Sequence, residues 1–518
     1  MGQEACTRFP KIKILINSKM SKLKLISNNI KYNFLSQVFT LAVYFVLLPF
    51  IIAHTGKEIY GIYILVTTFT GYLGLLDFGV SSAIIKFVAE FKGKKEDKKV
   101  NEFISATFTF YFLIGLVSMV LLLVMPFCFS LFFKTTVTDK NIIRQFFWIA
   151  AIASVVIWPA RTFEGVLQGL QKYSWLAVSN FIAALFTGIS AYIIFTRGFS
   201  IVFYLGVSYI FILLKYIIAY AASKKELATN RIIFPFFDKA VFGKIFNFSL
   251  YLFLCSLTNI VIFNLDNFVV GAIVGISAVT LFNVAANLQN VFRMVNSLVG
   301  GPLFPVSAEL EGQMDQIRQK KLLLKGTQYT TFVFIPMVII TIIFSRHLIN
   351  SWMGPGFQES VIVAQVLLIF WLFNGILSVG GGILNAKGYV KPLFNIGLIN
   401  AAFNLILSIL LAKRIGILGV ALGTTIPMVL FNFPMVLAKI IEVMKIKLSE
   451  YIDSCFTQNI LIYAVASGLS FILVRFIPPG NIIAVILEMA AAYIGSIFAG
   501  YLAFSRKQKQ ELMLMLKF

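Results

Sequence analysis

Apolar runs of about 20 residues recur along almost the whole chain, divided by short stretches that hold most of the charge. A helix of that length crosses a hydrocarbon layer about 30 Å thick. Fourteen such spans are read, at roughly 32–54, 59–80, 102–125, 142–166, 175–196, 201–222, 246–273, 279–301, 322–345, 360–385, 392–412, 417–438, 457–476 and 482–504. The runs lack the alternation of period two that an outer-membrane barrel requires, so the expected class is an all-α, multi-pass membrane protein. An even number of spans places both termini on one side.

Charge decides which side. Of the 44 Lys and Arg, 31 fall in 1–31, 92–99, 168–174, 223–244, 309–325, 386–391, 439–455 and 505–518, and nine fall at the other ends of the spans. That bias is the positive-inside pattern, so both termini are expected in the cytoplasm and the chain in the cytoplasmic membrane. The net charge of +23 is therefore a matter of orientation. No basic patch is interleaved with aromatics on a soluble domain, and no nucleic-acid partner is expected. Cys6, Cys255 and Cys455 fall on the cytoplasmic side or within spans, leaving Cys128 alone outside, so no disulfide framework is expected. The first apolar run, Phe34–Ala53, is long enough to be a permanent span, and Met20 is a second candidate start after Met1.

The sequence also repeats. Shifted by 219, "GKEIYGIYILVTT" (56–68) lies on "GISAVTLFNVAAN" (275–287), and "VAEFKG" (88–93) lies on "SAELEG" (307–312). With a small slip, "LQGLQKY" (167–173) resembles "LNAKGY" (384–389). Parallel duplication is a common transporter plan, and it divides the chain. The expected parts are a basic cytoplasmic segment 1–31, an N-lobe of helices 1–6 at 32–222, a cytoplasmic linker 223–245, and a C-lobe of helices 7–12 at 246–438. Helices 13 and 14 with their preceding loop follow at 439–504, then a cytoplasmic tail at 505–518.

Two spans are unusually polar. Helix 1 carries Asn29, Asn33, Gln37, Thr40 and Tyr44 on one face, and helix 8 carries Asn283, Asn287 and Asn290 beside Gln289, Arg293 and Asn296. Singly, an amide in a span is more often interhelical glue than ligand. As a stripe around Arg293, which is about 20 Å into its helix, they point to a water-filled cavity. Arg161 and Glu164, three apart, can pair on helix 4, with structural pairing and cavity lining equally open. Lys215 is near enough to a helix end to snorkel, and Lys86 with Glu90 reads as an interfacial pair. Asp77 either faces the cavity or caps a helix break at Gly79. Asp266 is the candidate ion or proton site.

Soluble catalytic machinery is missing. There is no GxxxxGK[ST] loop, and His54 and His347 stand in different halves outside any ligand motif, so neither cofactor nor metal is expected. Outward loops of at most about 16 residues are short for a membrane glycosyltransferase or polymerase.

The stretch "GKEIYGIYILVTTFTGYLGLLDFGVSSAIIKFVAEF" resembles the helix 1–2 signature of polysaccharide and oligosaccharide-lipid flippases, and "LDNFVVGAIVGISAVTLFNVAANL" (265–288) resembles their helix 7–8 signature. The same superfamily holds multidrug extruders and lipid II flippases. The resemblance implies a V-shaped, two-lobed fold around a central cavity, rocking between inward and outward openings. It implies transport of an isoprenoid pyrophosphate-linked oligosaccharide for surface polysaccharide such as O-antigen, with a polymerase and glycosyltransferases as candidate partners. Substrate-cavity candidates are then Arg293, Asn290, Asn287, Gln289, Asn296, Arg161, Asn33, Gln37, Thr40 and Asp77. A cation-coupled drug exporter of the same fold is the first alternative, although Tyr32–Ala53 lacks the carboxylate many of those carry. A membrane polymerase or glycosyltransferase is the second.

Overall fold

The computed structural model describes residues 8–134, 140–227, 232–239, 241–243, 245, 265–476, 480–504, 506 and 509, with backbone alone in 8–30, 298–305 and 458. Among these residues every regular element is helical. The first lobe comprises α1 (Arg8–Tyr72), α2 (Val80–Gly93), α3 (Asp97–Phe132), α4 (Lys140–Gly169), α5 (Tyr173–Thr196) and α6 (Ile201–Glu226). The second comprises α7 (Leu265–Val274), α8 (Ile276–Gly312), α9 (Gln316–Met353), α10 (Gln358–Ala386), α11 (Val390–Ile415), α12 (Ile417–Pro427) and α13 (Phe433–Met444). The short α14 (Leu448–Cys455) leads into α15 (Ile460–Phe476) and α16 (Ile482–Ala503), which pack on α9.

Nine of the described helices are long and apolar enough to cross a membrane, or ten with the bent pair Leu448–Cys455 and Ile460–Phe476. Two of the nine, Lys31–Asp77 and Val390–Met444, run 47 and 55 residues, so each has the length of two crossings. Each is broken by a glycine in a backbone region closed to other residues, Gly56 at φ 78° and Gly416 at φ 63°. Beyond Gly416 the two arms press together, because a Cβ on Gly419 would lie 2.3 Å from the Leu411 carbonyl. The chain is a multi-pass membrane protein. Most of the expected seventh span (246–264) lies outside the described residues.

The turns repeat along the chain. After α2, the amide of Lys95 donates to the Lys92 carbonyl and that of Glu96 to Phe91. After α8, Met314 donates to Glu311 and Asp315 to Leu310, the same pair of bonds 219 residues on. Lys95 (φ 60°) and Met314 (φ 54°) both take the left-handed conformation that this closure needs. The turn after α4 at Gln171 and the turn after α10 at Gly388 match in the same way, and positive φ recurs at Gly56 and Gly275.

One difference between the halves bears on the site. A tight turn over Leu73–Asp77 and left-handed Phe78 and Gly79 interrupt the first half after Tyr72, whereas α8 runs unbroken through the matching stretch. Asp77 caps the restart, accepting from the amide (3.3 Å) and hydroxyl (3.0 Å) of Ser81, and it also accepts from the Tyr111 hydroxyl. Of the two roles open to Asp77, the structure places it in the cap.

The linker packs on the first lobe. The amides of Ile233 and Phe236 donate to the side-chain oxygens of Ser105 and Thr109, both at 3.0 Å, and Leu227, Val241 and Ile245 join the core around α2 and α3.

Burial defines two unlike ends. Toward the loops at residues 56, 198–200, 354–357 and 416, both lobes share one apolar core that runs from Leu47, Leu65 and Phe147 to Val279, Phe344 and Val420. A seam of polar contacts closes that end. Lys57 Nζ donates to the Gly356 carbonyl at 2.6 Å and lies 4.5 Å from the Phe357 ring, and Thr280 Oγ1 donates to the Lys57 carbonyl at 2.6 Å. The Trp352 indole donates to the Phe45 carbonyl at 2.7 Å while its ring stacks on Phe45 at 4.1 Å. Gly61 is required here: a Cβ would stand 2.3 Å from the Ile276 carbonyl oxygen. Toward the basic loops the shared core divides into separate clusters, one around Phe334 and Trp371, others around Val88 and Phe103 and around Phe163 and Leu167. The lobes therefore meet at one face and diverge toward the basic face.

Candidate functional site

A cavity of about 640 Å³ occupies the divergence. Its wall comes from α1 (Ser36, Gln37, Thr40, Leu41, Tyr44), α5 (Asn180, Ala183, Ala184, Thr187), α6 (Ile212, Lys215) and α8 (Asn290, Arg293, Met294, Ser297). The first lobe supplies three sides and α8 of the second lobe closes the fourth. Both helix patterns follow from 3.6 residues per turn: 37, 40, 41 and 44 form one stripe on α1, and 290, 293, 294 and 297 form another on α8. Alanines and Thr187 keep the α5 wall shallow, which leaves room for a ligand. Arg293 and Asn290 are exposed into this space. The wall is thus cationic on α8 and α6, amide- and hydroxyl-bearing on α1 and α5. It can hold an anion and a polyhydroxylated group side by side.

Of the sequence candidates, Arg293, Asn290, Gln37 and Thr40 come together on this wall. Asn33 lies one turn nearer the basic face and accepts from Gln37 Nε2 at 3.0 Å, orienting that amide. The other α8 amides turn elsewhere, which corrects the expectation that the whole stripe is wet. Asn287 bonds back to Asn283 at 2.9 Å, Gln289 is buried in the core, and Asn296 donates to Asn374 of α10 at 3.2 Å. Gln289 and Asn296 fall on another side of the helix, while Asn287, on the same side as Asn290, is one turn nearer the sealed end and beyond the lining. Asn29 lies in the segment described by backbone alone.

Two readings of the charges change. Lys215 does not snorkel: it lines the cavity and pairs with Glu164 at 2.5 Å. Glu164 is thus not engaged in the local pairing with Arg161 that its spacing allows, and the Arg161 guanidinium lies 4.9 Å from the Trp158 ring, among Asp77, Tyr111 and Tyr216. Arg161 is therefore one layer behind the wall. Glu90 pairs with Lys94 at 2.6 Å, while Lys86 lies over the Phe87 ring.

Asp266 is apart from the cavity, buried where α7 meets α11 and α12. Its Oδ2 accepts from Thr424 Oγ1 at 2.9 Å, and Thr424 in turn accepts from Asn404 Nδ2 at 3.1 Å. Asp266 Oδ1 and the nearby helix's Asn400 Oδ1 are buried with no hydrogen-bond partner among the described residues. Oxygens left unsatisfied in a dry site are costly, and they suit a proton or a hard cation. The next residue, Asn267, reaches across the seam to Thr68 Oγ1 at 3.5 Å. Among the described residues no three His, Cys, Asp or Glu converge as a metal site.

Comparison with known proteins places this arrangement. The chain is 21% identical over 385 residues to a candidate O-antigen transporter of Shigella flexneri, covering 74% of this chain and 90% of that one. It is 27% identical over 274 residues to an uncharacterized membrane protein of Methanocaldococcus jannaschii, about half of each chain. Its fold is that of the lipid II flippase MurJ in an inward closed conformation (TM-score 0.67, 17% identity, covering 89% of this chain and 96% of MurJ). It is equally that of a multidrug resistance MATE family transporter of the MOP superfamily in an inward-facing conformation (TM-score 0.68, 12% identity, covering 79% and 95%). These neighbours share the two-lobed plan seen here. The family model described as polysaccharide biosynthesis protein matches residues 26–311, more than half of the sequence, and so the chain belongs to the polysaccharide biosynthesis protein family.

Proposed function

We propose that this protein is a flippase that carries an isoprenoid pyrophosphate-linked oligosaccharide across the cytoplasmic membrane by alternating access, and that it makes and breaks no covalent bond. The observation that carries the reading is Arg293, held in a polar cavity between two lobes that part toward the basic face. A pyrophosphate brings charge that a bilayer centre excludes, and a guanidinium in a wet cleft offsets it through paired hydrogen bonds. The amides of Gln37, Asn180 and Asn290 and the hydroxyls of Ser36, Thr40 and Thr187 suit a sugar. The membrane-restricted lipid remains in the bilayer while its head group uses the cavity.

By the charge bias, the basic face and both termini are cytoplasmic, so the described form opens inward and the Lys57–Trp352 seam seals the outside. Asp266, with Asn400, Asn404 and Thr424, is the coupling site for a proton or monovalent cation, placed one residue from the interlobe bond of Asn267. The polymerase and glycosyltransferases of surface-polysaccharide assembly are the expected partners.

Reconstituted protein tests the reading. Arg293→Ala should reduce translocation of the lipid-linked oligosaccharide by about tenfold or more, the worth of one lost charge-assisted contact. Resistance of cells to cationic drugs should not change. Unimpaired translocation by Arg293→Ala defeats the assignment, and drug efflux that needs Arg293 favours an exporter instead.

A further inference from the structure

The Lys215–Glu164 pair has no counterpart in the sequence reading and is placed where a structural ion pair is least expected, on a cavity wall. Both side chains keep 21% of their exposure, and Lys215 lines the same space as Arg293. Glu164 also has a second cation in reach: Arg161 is one turn back on α4.

We propose that Lys215 is a second anion-reading residue of the cavity, held in reserve by Glu164, and that it discriminates a pyrophosphate from a single phosphate. The inference rests on the flippase reading and names how the head group is chosen. In the empty cavity, Glu164 occupies the place of the substrate's anion and keeps Lys215 compensated. When a doubly phosphorylated group arrives, Arg293 engages one phosphate and Lys215 swings from Glu164 to the other. Glu164 then turns to Arg161, one turn back on α4, with the Tyr216 hydroxyl beside it. No carboxylate is stranded, so the exchange is between ion pairs and avoids the large cost of an unpaired buried charge. A single phosphate is satisfied by Arg293 and gives too little charge to draw Lys215 away. Asp77 completes the set: with Arg161, Glu164 and Lys215 it brings the formal charge of these four first-lobe groups to zero.

The test uses the full chain in nanodiscs, with two soluble probes that carry the same oligosaccharide, one pyrophosphate-linked and one monophosphate-linked. Wild type should bind the pyrophosphate probe at least about tenfold more tightly, the value of one added charge-assisted contact. Lys215→Met should bring the two affinities within about threefold, and Lys215→Arg should restore most of the ratio. Glu164→Gln, which frees Lys215 without removing it, should tighten pyrophosphate binding several-fold and slow turnover. A purely structural pair predicts the opposite: loss of thermal stability in Lys215→Met and Glu164→Gln with the ratio intact, and that result overturns the proposal. Binding of both probes with an unchanged ratio in Lys215→Met removes this proposal and leaves the flippase reading standing. Binding of neither probe by wild type removes the flippase reading as well.

Discussion

The two ends of the molecule are built by different chemistry. At the sealed end, one apolar core crosses from lobe to lobe, and the polar contacts over it are single hydrogen bonds, three of them to main-chain carbonyls: Lys57 to Gly356, Thr280 to Lys57, Trp352 to Phe45. At the open end the cores divide, and ion pairs such as Glu311–Lys387 and Lys320–Glu450 stay within one lobe or its appended helices. A seam that must open repeatedly is better closed by many bonds of about 1 kcal/mol than by a few buried ion pairs, because each of the former can be exchanged for water singly. What resists opening is the shared apolar surface, which favours closure without fixing a direction of motion.

That contrast can be broken from either side. The largest effect is expected from Trp352→Ala, which removes a buried indole, its bond and its stack on Phe45 at a cost of about 3 kcal/mol to the sealed form. A cysteine at Ser297 on the cavity wall, with the native cysteines replaced, should then react with an impermeant reagent added on the sealed side, and protection as in wild type would mean the seam lies elsewhere. Gly61→Val acts next, at about 2 kcal/mol, by wedging a side chain against the Ile276 carbonyl. It should give the same labelling with a lowered unfolding temperature. Lys57→Met should weaken closure by about 1 kcal/mol, visible as a modest rise in labelling rate.

The smallest effect belongs to the open end. The bond from Lys387, with a second from Gln319, holds the Glu311 carboxyl below its ordinary value. A depressed carboxyl stabilises the fold above its unfolded pKa, and that contribution is lost as pH falls through the folded value. Wild type should therefore lose slightly more stability than Lys387→Met on acidification, with the difference small because Glu311 is 41% exposed. Equal acid profiles would show that the pair contributes nothing at this face.

The apolar runs, the one-sided charge and the repeat made the fold readable, because each is a local signal repeated many times. The site was readable where a stripe of spacing three and four carried it, as with Gln37 and Thr40 on α1 and Asn290 and Arg293 on α8. It was misread where a tertiary partner outcompetes a sequence neighbour. Glu164 is three residues from Arg161 but bonds Lys215, 51 residues away. The distance of Lys215 from its helix end suggested a route to water at the membrane surface, and the water it meets is inside. Gln289 and Asn296 share the composition of the stripe but not its angle, and Asn287 shares the angle but stands one turn nearer the sealed end, bonded back to Asn283; composition alone resolves neither.

The paired turns have a consequence for how this architecture varies. Lys95 and Met314, like Gln171 and Gly388, occupy matching corners with unrelated side chains, since only main-chain atoms close those corners. A hinge of this kind sets the angle between successive rods whatever residue stands at it. Substitution can thus rewrite the rods and repurpose the vestibule they enclose while the scaffold's proportions persist, which is how chains with fewer than one residue in five in common superpose over most of their length.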